Sequence, residues 1–463
     1  MNKVCWVLLV SVWLTGCTPA KEIDVNRSVD AVTASTRTSE AFLKKSAIYE
    51  INVRQFSEAG TLQAVTEQLP RLQALGVDIL WLMPIQPISE VKRKGSLGSY
   101  YAIEDYTAVN PDYGTLADLR ALVDTAHGLG QVVILDWVAN HTGWDHVWIE
   151  QHPDWYSRNA AGEIIDPIHS ETGEPWGWTD VADLNYDNRE LWPAMVAAMQ
   201  FWLDAVDVDG FRCDVAGEVP TEFWEFARPQ LDRVKPVFML AEAEKPELHT
   251  AFDMSYGWSF NELMNGIASG EHSAWEVNDY MQWRQQQFPA DHRLMMFTTN
   301  HDENSWTGTV FERYGQAHRA FAVLAFTLDG MPLIYSGQEA GLNKRLQFFE
   351  KDPIDWQDYP LQPFYQQLLR LKAATPALWS GANGGEFVPL PDPNADAKSY
   401  VFERQHPQGD VLVGLNFSAE AVRLSIPAGW DQAQTLLGTA GVESQTMTLA
   451  PFAYVILQRT TPR

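Results

Sequence analysis

From Ser46 onward, short apolar runs alternate with segments whose apolar residues return every three or four positions. Ala47-Ile48-Tyr49-Glu50-Ile51-Asn52-Val53 reads as a first strand. Leu62, Val65, Leu69, Leu72 and Leu75 then keep helical spacing and stop at Gly76, a residue suited to ending a helix. Val77 to Met83 is a near-continuous apolar run ending at Pro84, the pattern of a strand covered on both faces. The alternation continues with a helix from Leu116 to Leu129, a strand from Gln131 to Trp137 and a helix from Leu191 to Val206. Strands follow through Phe211 and Cys213, over Val237 to Ala241, Leu294 to Thr298 and Pro332 to Tyr335, with a weakly marked one near Phe252 to Ser255. Strands separated by helices call for a parallel sheet with crossover connections, and their number favours closure into a (β/α)8 barrel.

Two stretches break the rhythm. Residues 142–185 follow the third strand without a clear helix and hold Trp144, Trp148, Trp155, Trp176 and Trp178. So long an excursion inside a compact domain is usually functional, and its tryptophans divide between sugar platforms and local core. From residue 384 the texture becomes short strands punctuated by Pro, Gly, Asp and Asn, which predicts a C-terminal antiparallel β-sandwich over 384–463. The barrel is then assigned to 45–141 and 186–383, with 142–185 inserted between.

The beginning of the chain reads as an address. Lys3 precedes an apolar run from Val4 to Leu14, too short to span a bilayer, and Leu14-Thr15-Gly16-Cys17 resembles a lipobox. Residues 1–17 are therefore expected to be a lipoprotein signal, with Cys17 lipidated, and 18–44, rich in Ser, Thr, Ala and Asp, a flexible tether. Membrane contact is expected only through that anchor, in the cell envelope and by resemblance at the outer membrane. With 60 acidic against 33 basic residues, the formal charge of −27 repels phosphate backbones and argues against nucleic acid. A neutral polysaccharide does not feel that field, and the 19 Trp and 15 Tyr supply flat apolar rings for sugars.

In a closed parallel barrel, reactive groups gather at the C-terminal ends of the strands. The third strand ends Asp136-Trp-Val-Ala-Asn140-His141; the fourth carries Arg212 and Asp214, two apart and so on one face. The fifth is five apolar residues and then Glu242, and the seventh runs into Asn300-His301-Asp302. Glycoside hydrolysis needs one carboxylic acid for the leaving oxygen and one carboxylate at the anomeric carbon. Arg212 is expected to keep Asp214 ionised and lower its pKa, while desolvation raises that of Glu242. Asp302 is a third acid able to hold hydroxyls and balance positive charge. Cys213 reads as inert strand packing, and Glu244 and Glu303 as supporting ion pairs.

These segments together resemble the four signature regions of the α-amylase family, glycoside hydrolase family 13: Asp136 to His141, Gly210 to Ala216, Leu240 to Glu242, and Asn300 to Asp302. Gly76 to Pro84, Tyr101 to Tyr106, Asp183 to Asn185 and Gly330 to Gly337 add to the match, in the family's order. The resemblance implies Asp214 as nucleophile, Glu242 as acid/base and Asp302 as transition-state stabiliser. It places Arg212, His141 and His301 around the sugar, with Tyr101 stacking on it, and makes 142–185 the family's domain B. It also implies a retaining mechanism through a covalent glucosyl ester, with carboxyls roughly 5 to 5.5 Å apart.

Two positions depart from the family. Gly217-Glu218 stands where many α-amylases carry Lys-His, and Ser99 stands where a His often precedes the stacking Tyr. Both leave the bond specificity open between α-1,4 hydrolysis of starch-type glucans or malto-oligosaccharides and a cyclomaltodextrinase- or neopullulanase-like, α-1,6-acting or transglycosylating activity. A non-catalytic glycan-binding lipoprotein is the alternative of another class. No cofactor is required for the chemistry. A structural calcium ion is possible at Asn140, supplemented by Asp183.

Overall fold

The computed structural model describes residues 37–392 and 396–459. The apolar leader, Cys17 and most of the tether lie outside the described residues. Among those described, no helix is long and apolar enough to cross a membrane.

Eight parallel strands close a barrel in chain order: β1 (Ile48–Ile51), β2 (Ile79–Leu82), β3 (Val132–Trp137), β4 (Gly210–Cys213), β5 (Phe238–Ala241), β6 (Met254–Tyr256), β7 (Leu294–Met296) and β8 (Met331–Tyr335). Closure is made by β1, which pairs with both β2 and β8. The weakly marked strand is β6. It spans three residues and pairs with β5 only through Leu240–Met254 and Ala241–Ser255, too short a run to show periodicity. Ile48, Ile79, Trp81, Ile134, Leu240 and Met295 are among the residues filling the barrel interior, so it is a packed core rather than a pore.

The helices follow their sequence signals. Thr61 caps Leu62–Leu75 by accepting from the Ala64 amide, and Gly76 ends it at φ 105°, a left-handed conformation that costs glycine least. Thr115 and Asp118 form a reciprocal capping box on Leu116–Gly128. Residues 37–44, at the end of the stretch expected to be tether, instead pack against the barrel. Glu40–Leu43 makes a helical turn, Leu43 is buried under the barrel, and Arg37 Nη1 lies 3.1 Å from Asp207 and 3.2 Å from Asp209. One buried leucine gives no period to read, which is why sequence pattern misses this docking.

The insertion is anchored by two short antiparallel strands, His141–Gly143 and Val181–Asp183, which pair His141 with Asp183 and Gly143 with Val181. Between them lie a one-turn helix, Val147–Gln151, a 3-10 turn, Pro153–Trp155, and loop. The C-terminal region has a five-stranded antiparallel sheet, in spatial order Glu386–Pro389, Ser399–Gln405, Asp410–Asn416, Tyr454–Arg459 and Gln434–Gly438. A three-stranded sheet, Val422–Ser425, Thr446–Leu449 and Gly441–Glu443, packs over it through Leu412, Leu424, Met447 and Val455. Together they form the expected sandwich.

Candidate active site

The acid cluster is built on the C-terminal ends of β3, β4, β5 and β7. Gly210 opens β4 at φ 155°, and a Cβ there would come within 1.9 Å of the Phe238 carbonyl, so only glycine lets β4 lie this close to β5. That approach aligns Arg212 and Asp214 with Glu242. Arg212 is fully buried, its Nη1 2.8 Å from Asp136 and 2.9 Å from Asp214, its Nη2 2.9 Å from Glu242 Oε1. The contact to Glu242 has the distance of an ion pair without hydrogen-bond alignment, leaving Nη2 without a directed partner. Arg212 Nε donates to the Tyr256 hydroxyl at 3.1 Å, which fixes the guanidinium plane.

Around this cation the carboxyls differ. Burial raises Asp214 to about 6, a rise that Arg212 restrains and Asp136 reinforces. The expected lowering by Arg212 is therefore outweighed by desolvation, which the strand sequence alone does not reveal. Glu242 goes further, to about 8, through burial and the nearby Asp214 and Asp302 charges, against the pull of Arg212. Its Oε2 accepts from the Val215 amide at 2.7 Å. Burial and the neighbouring carboxylates thus raise Glu242 further than Asp214, the order that an acid and a nucleophile require.

Asp302 follows β7, with its side chain one-third exposed (33%) and 3.3 Å from His301 Nε2. Tyr101 donates to Asp136 at 3.2 Å, bonds His301 Nε2 at 2.7 Å and stacks on the His301 ring. His141 is buried, and desolvation lowers it to about 3, so it meets a ligand as neutral imidazole. Tyr101, His141, Asp214, Glu242, His301 and Asp302 all line one cleft of about 220 Å³. Arg212 and Asp136 lie beneath its floor, and Asn140 sits behind the wall.

The cleft has two aromatic sides. On the insertion, Trp178 lines the wall and stacks on Trp176 (4.9 Å between centroids, 9°), which stacks in turn on His169. Lys94, from the loop after β2, pairs with Asp180 at 2.8 Å and braces this column. Opposite, Phe348 stacks on Tyr101, and Trp306, 55% exposed, packs against Phe348. Of the other insertion tryptophans, Trp155 is local core, with Trp148 packed edge-on to it, and Trp144 lies under Lys92.

Sequence reasoning missed Glu50, Phe348, Trp306, Lys94 and Asp180. Glu50 had a signal, a lone acid in an apolar strand; the others lie on loops with no motif. Glu303 pairs with Arg313 at 3.0 Å, as expected, but Glu244 accepts from the Ser259 amide and hydroxyl and not from a cation. Cys213 is buried and its thiol pushed up by desolvation, which leaves it unreactive. Glu218 accepts from the Ser170 amide at 2.8 Å, so this departure from the family ties the insertion to the loop after β4. Ser99 lines the cleft and accepts from the Tyr101 amide.

For calcium, the donors beside Asn140 are few. Asn140 turns its amide nitrogen to His141 Nδ1 at 3.3 Å, and burial raises Asp183 to about 7. Among the described residues no group of three or more His, Cys, Asp or Glu side chains is arranged to hold a metal ion. Calcium takes six to eight oxygens, of which Asn140 and Asp183 would supply two.

The alpha-amylase catalytic-domain family matches residues 45–388, which span the whole barrel and its insertion. The chain belongs to the alpha-amylase family. Its acid cluster is built from the segments that resemble the family's signature regions. The chain is 28% identical to the alpha-amylase MalA of Haloarcula japonica, covering 86% of this chain and 59% of that protein. It thus spans well under two thirds of that relative's length. It is 26% identical to a maltogenic alpha-amylase of Bacillus acidopullulyticus, over 86% of this chain and 70% of that one. Among solved structures, an alpha-amylase from Lactobacillus plantarum superposes with a TM-score of 0.79 at 30% identity, over 91% of this chain and all of the other. The maltogenic alpha-amylase AmyB of Thermotoga neapolitana also gives 0.79, at 28% identity.

Proposed function

We propose that the chain is a retaining glycosidase that cleaves α-glucosidic bonds, mainly α-1,4, of starch-type glucans or malto-oligosaccharides. The observation that carries this reading is the meeting of two carboxyls on one buried guanidinium, Asp214 2.9 Å from Arg212 Nη1 and Glu242 2.9 Å from Nη2. An ionised carboxylate and a protonated one, side by side at the end of the barrel strands, are the two groups that glycoside cleavage needs at neutral pH.

In the proposed cycle the glucosyl ring rests on Tyr101, its hydroxyls held by His141, His301 and Asp302. Asp214 attacks the anomeric carbon as Glu242 gives its proton to the departing oxygen, forming a glucosyl ester and a free hydroxyl. Glu242, now a carboxylate, takes a proton from water, the resulting hydroxide oxygen bonds to the anomeric carbon, and the Asp214 ester bond breaks. Asp302, beside the path, opposes the positive charge that builds on the ring. The contact of one guanidinium with both carboxyls supports the short separation of a retaining pair.

Product analysis on maltoheptaose, pullulan and cyclodextrin tests the bond specificity. Dominant attack on cyclodextrin or pullulan would favour the cyclomaltodextrinase- or neopullulanase-like reading. Glu242→Gln should abolish turnover while leaving glucan binding intact. A wild type that binds glucan and never cleaves it would make this a binding protein. Attachment at the cell envelope through Cys17 is a separate proposal resting on Leu14-Thr15-Gly16-Cys17 alone; Cys17→Ser should eliminate incorporation of labelled fatty acid.

A further inference from the structure

Glu50 stands inside the apolar strand β1, between Tyr49 and Ile51, and is fully buried. Its Oε1 is 2.5 Å from His301 Nδ1, and its Oε2 has no hydrogen-bond partner. A residue placed there for stability would be apolar like its neighbours, because a buried carboxylate with an unpaired oxygen costs free energy. We propose that Glu50 is a positioning residue: its carboxylate holds the His301 ring with a proton on each nitrogen, so that a cationic Nε2–H faces Tyr101, Asp302 and the sugar. This rests on the glycosidase reading above and adds a residue that touches no substrate.

The surroundings of His301 decide its charge. Glu50 faces it from β1, Asp302 from its own loop, Tyr101 from the loop after β2, Asp136 from β3 and Arg212 from β4; Trp81 packs edge-on at 5.9 Å. Burial alone would lower His301, and Arg212 opposes a second cation, yet Asp302 and Glu50 together raise it to about 9; burial in turn raises Glu50, and the contact with His301 and the charge of Arg212 pull it back down. Glu50, like Asp136 and unlike Asp302, lies away from the cleft lining. A bound sugar therefore leaves its contact with His301 in place, and the imidazolium is ready before substrate arrives. The cation then sits 3.3 Å from Asp302 and keeps that carboxylate oriented.

Glu50→Gln keeps the shape and an oxygen that can accept from Nδ1–H, and removes only the charge. Losing an opposite charge at contact distance should lower the His301 titration by about 1 to 2 pH units. Two readouts test this. Imidazole nitrogen NMR without substrate should show that downward shift for His301. The alkaline limb of kcat/KM, set in the wild type by Glu242 near 8, should move down by up to about one unit as His301 comes to titrate below it, with activity at pH 5.5 within about threefold of wild type. Glu50→Asp, which keeps the charge, should keep the alkaline limb even if the rate falls. An unchanged His301 titration, or an equal loss at every pH in Glu50→Gln, would overturn the proposal, as would an Asp variant whose limb moves like that of Gln. If the wild type hydrolyses no glucan, the glycosidase reading fails instead, and the NMR arm alone still decides the role of Glu50.

Discussion

Replacing Arg212 with methionine removes the guanidinium that touches Asp136, Asp214 and Glu242 while keeping much of the side-chain volume. A cation at this distance depresses a carboxyl pKa by about 1 to 3 units. Asp214, already held at about 6 by burial, should then rise to roughly 7 to 9, and Glu242 should climb above its present value of about 8. At pH 7 the ionised fraction of Asp214 falls from about nine-tenths to between about one half and one hundredth. That alone costs roughly twofold to a hundredfold in kcat/KM, and part of it should return as the pH is raised toward 9. Stability carries the same sign. Carboxyls whose folded pKa lies above the unfolded value contribute stability fully present below about pH 4, and that stability is lost as pH rises through the folded value. The variant should therefore be near wild type in urea at pH 4 to 5 and weaker by about 3 to 5 kcal/mol at pH 9, where ionised acids are buried without their partner. The assays are urea midpoints at pH 5, 7 and 9 and a pH profile of kcat/KM. A rate loss independent of pH, or an optimum that moves to lower pH, would refute the reasoning.

Other consequences follow from the same geometry. Asp302→Asn should lower kcat by about a hundredfold or more with KM little changed, since its charge matters only as the ring becomes positive; a loss confined to KM would make it a binding residue. Trp178→Ala removes the cleft-facing ring of the Trp178–Trp176–His169 column, and about 1 kcal/mol of stacking should appear as a roughly fivefold higher KM on long glucans, read from initial rates. Excess EDTA should leave kcat unchanged, because nucleophile and proton both come from side chains. A drop of several degrees in Tm on chelation would instead mark a structural cation beside Asn140.

The barrel and the positions of its acids were legible because buried strands carry continuous apolar runs and reactive groups collect where those runs end. Asp214, Glu242 and Asp302 are brought together as their strand-end positions imply. The magnitude of burial was not legible. Arg212 beside Asp214 in sequence suggested a lowered carboxyl pKa, but the same two strands bury both residues, and desolvation wins. Loop contributions were equally hidden: Trp306 and Phe348 lie far from Tyr101 in sequence and carry no motif, yet they line the cleft with it. Glu50 could have been found, since an acid within Ile48–Ile51 breaks an otherwise apolar or aromatic strand. The docking of residues 37–44 could not, because it rests on Leu43 and on long-range pairs of Arg37.

The central claim is that Asp214 bonds to the anomeric carbon while Glu242 supplies the proton. In Glu242→Gln, α-glucosyl fluoride should still glycosylate the enzyme, because fluoride leaves without a proton, whereas release of the ester by water should stall for lack of a base. Mass spectrometry of the rapidly quenched, digested variant should find one added glucosyl unit on the peptide containing Asp214. No adduct, or a glucosyl unit on a peptide lacking Asp214, would contradict the account.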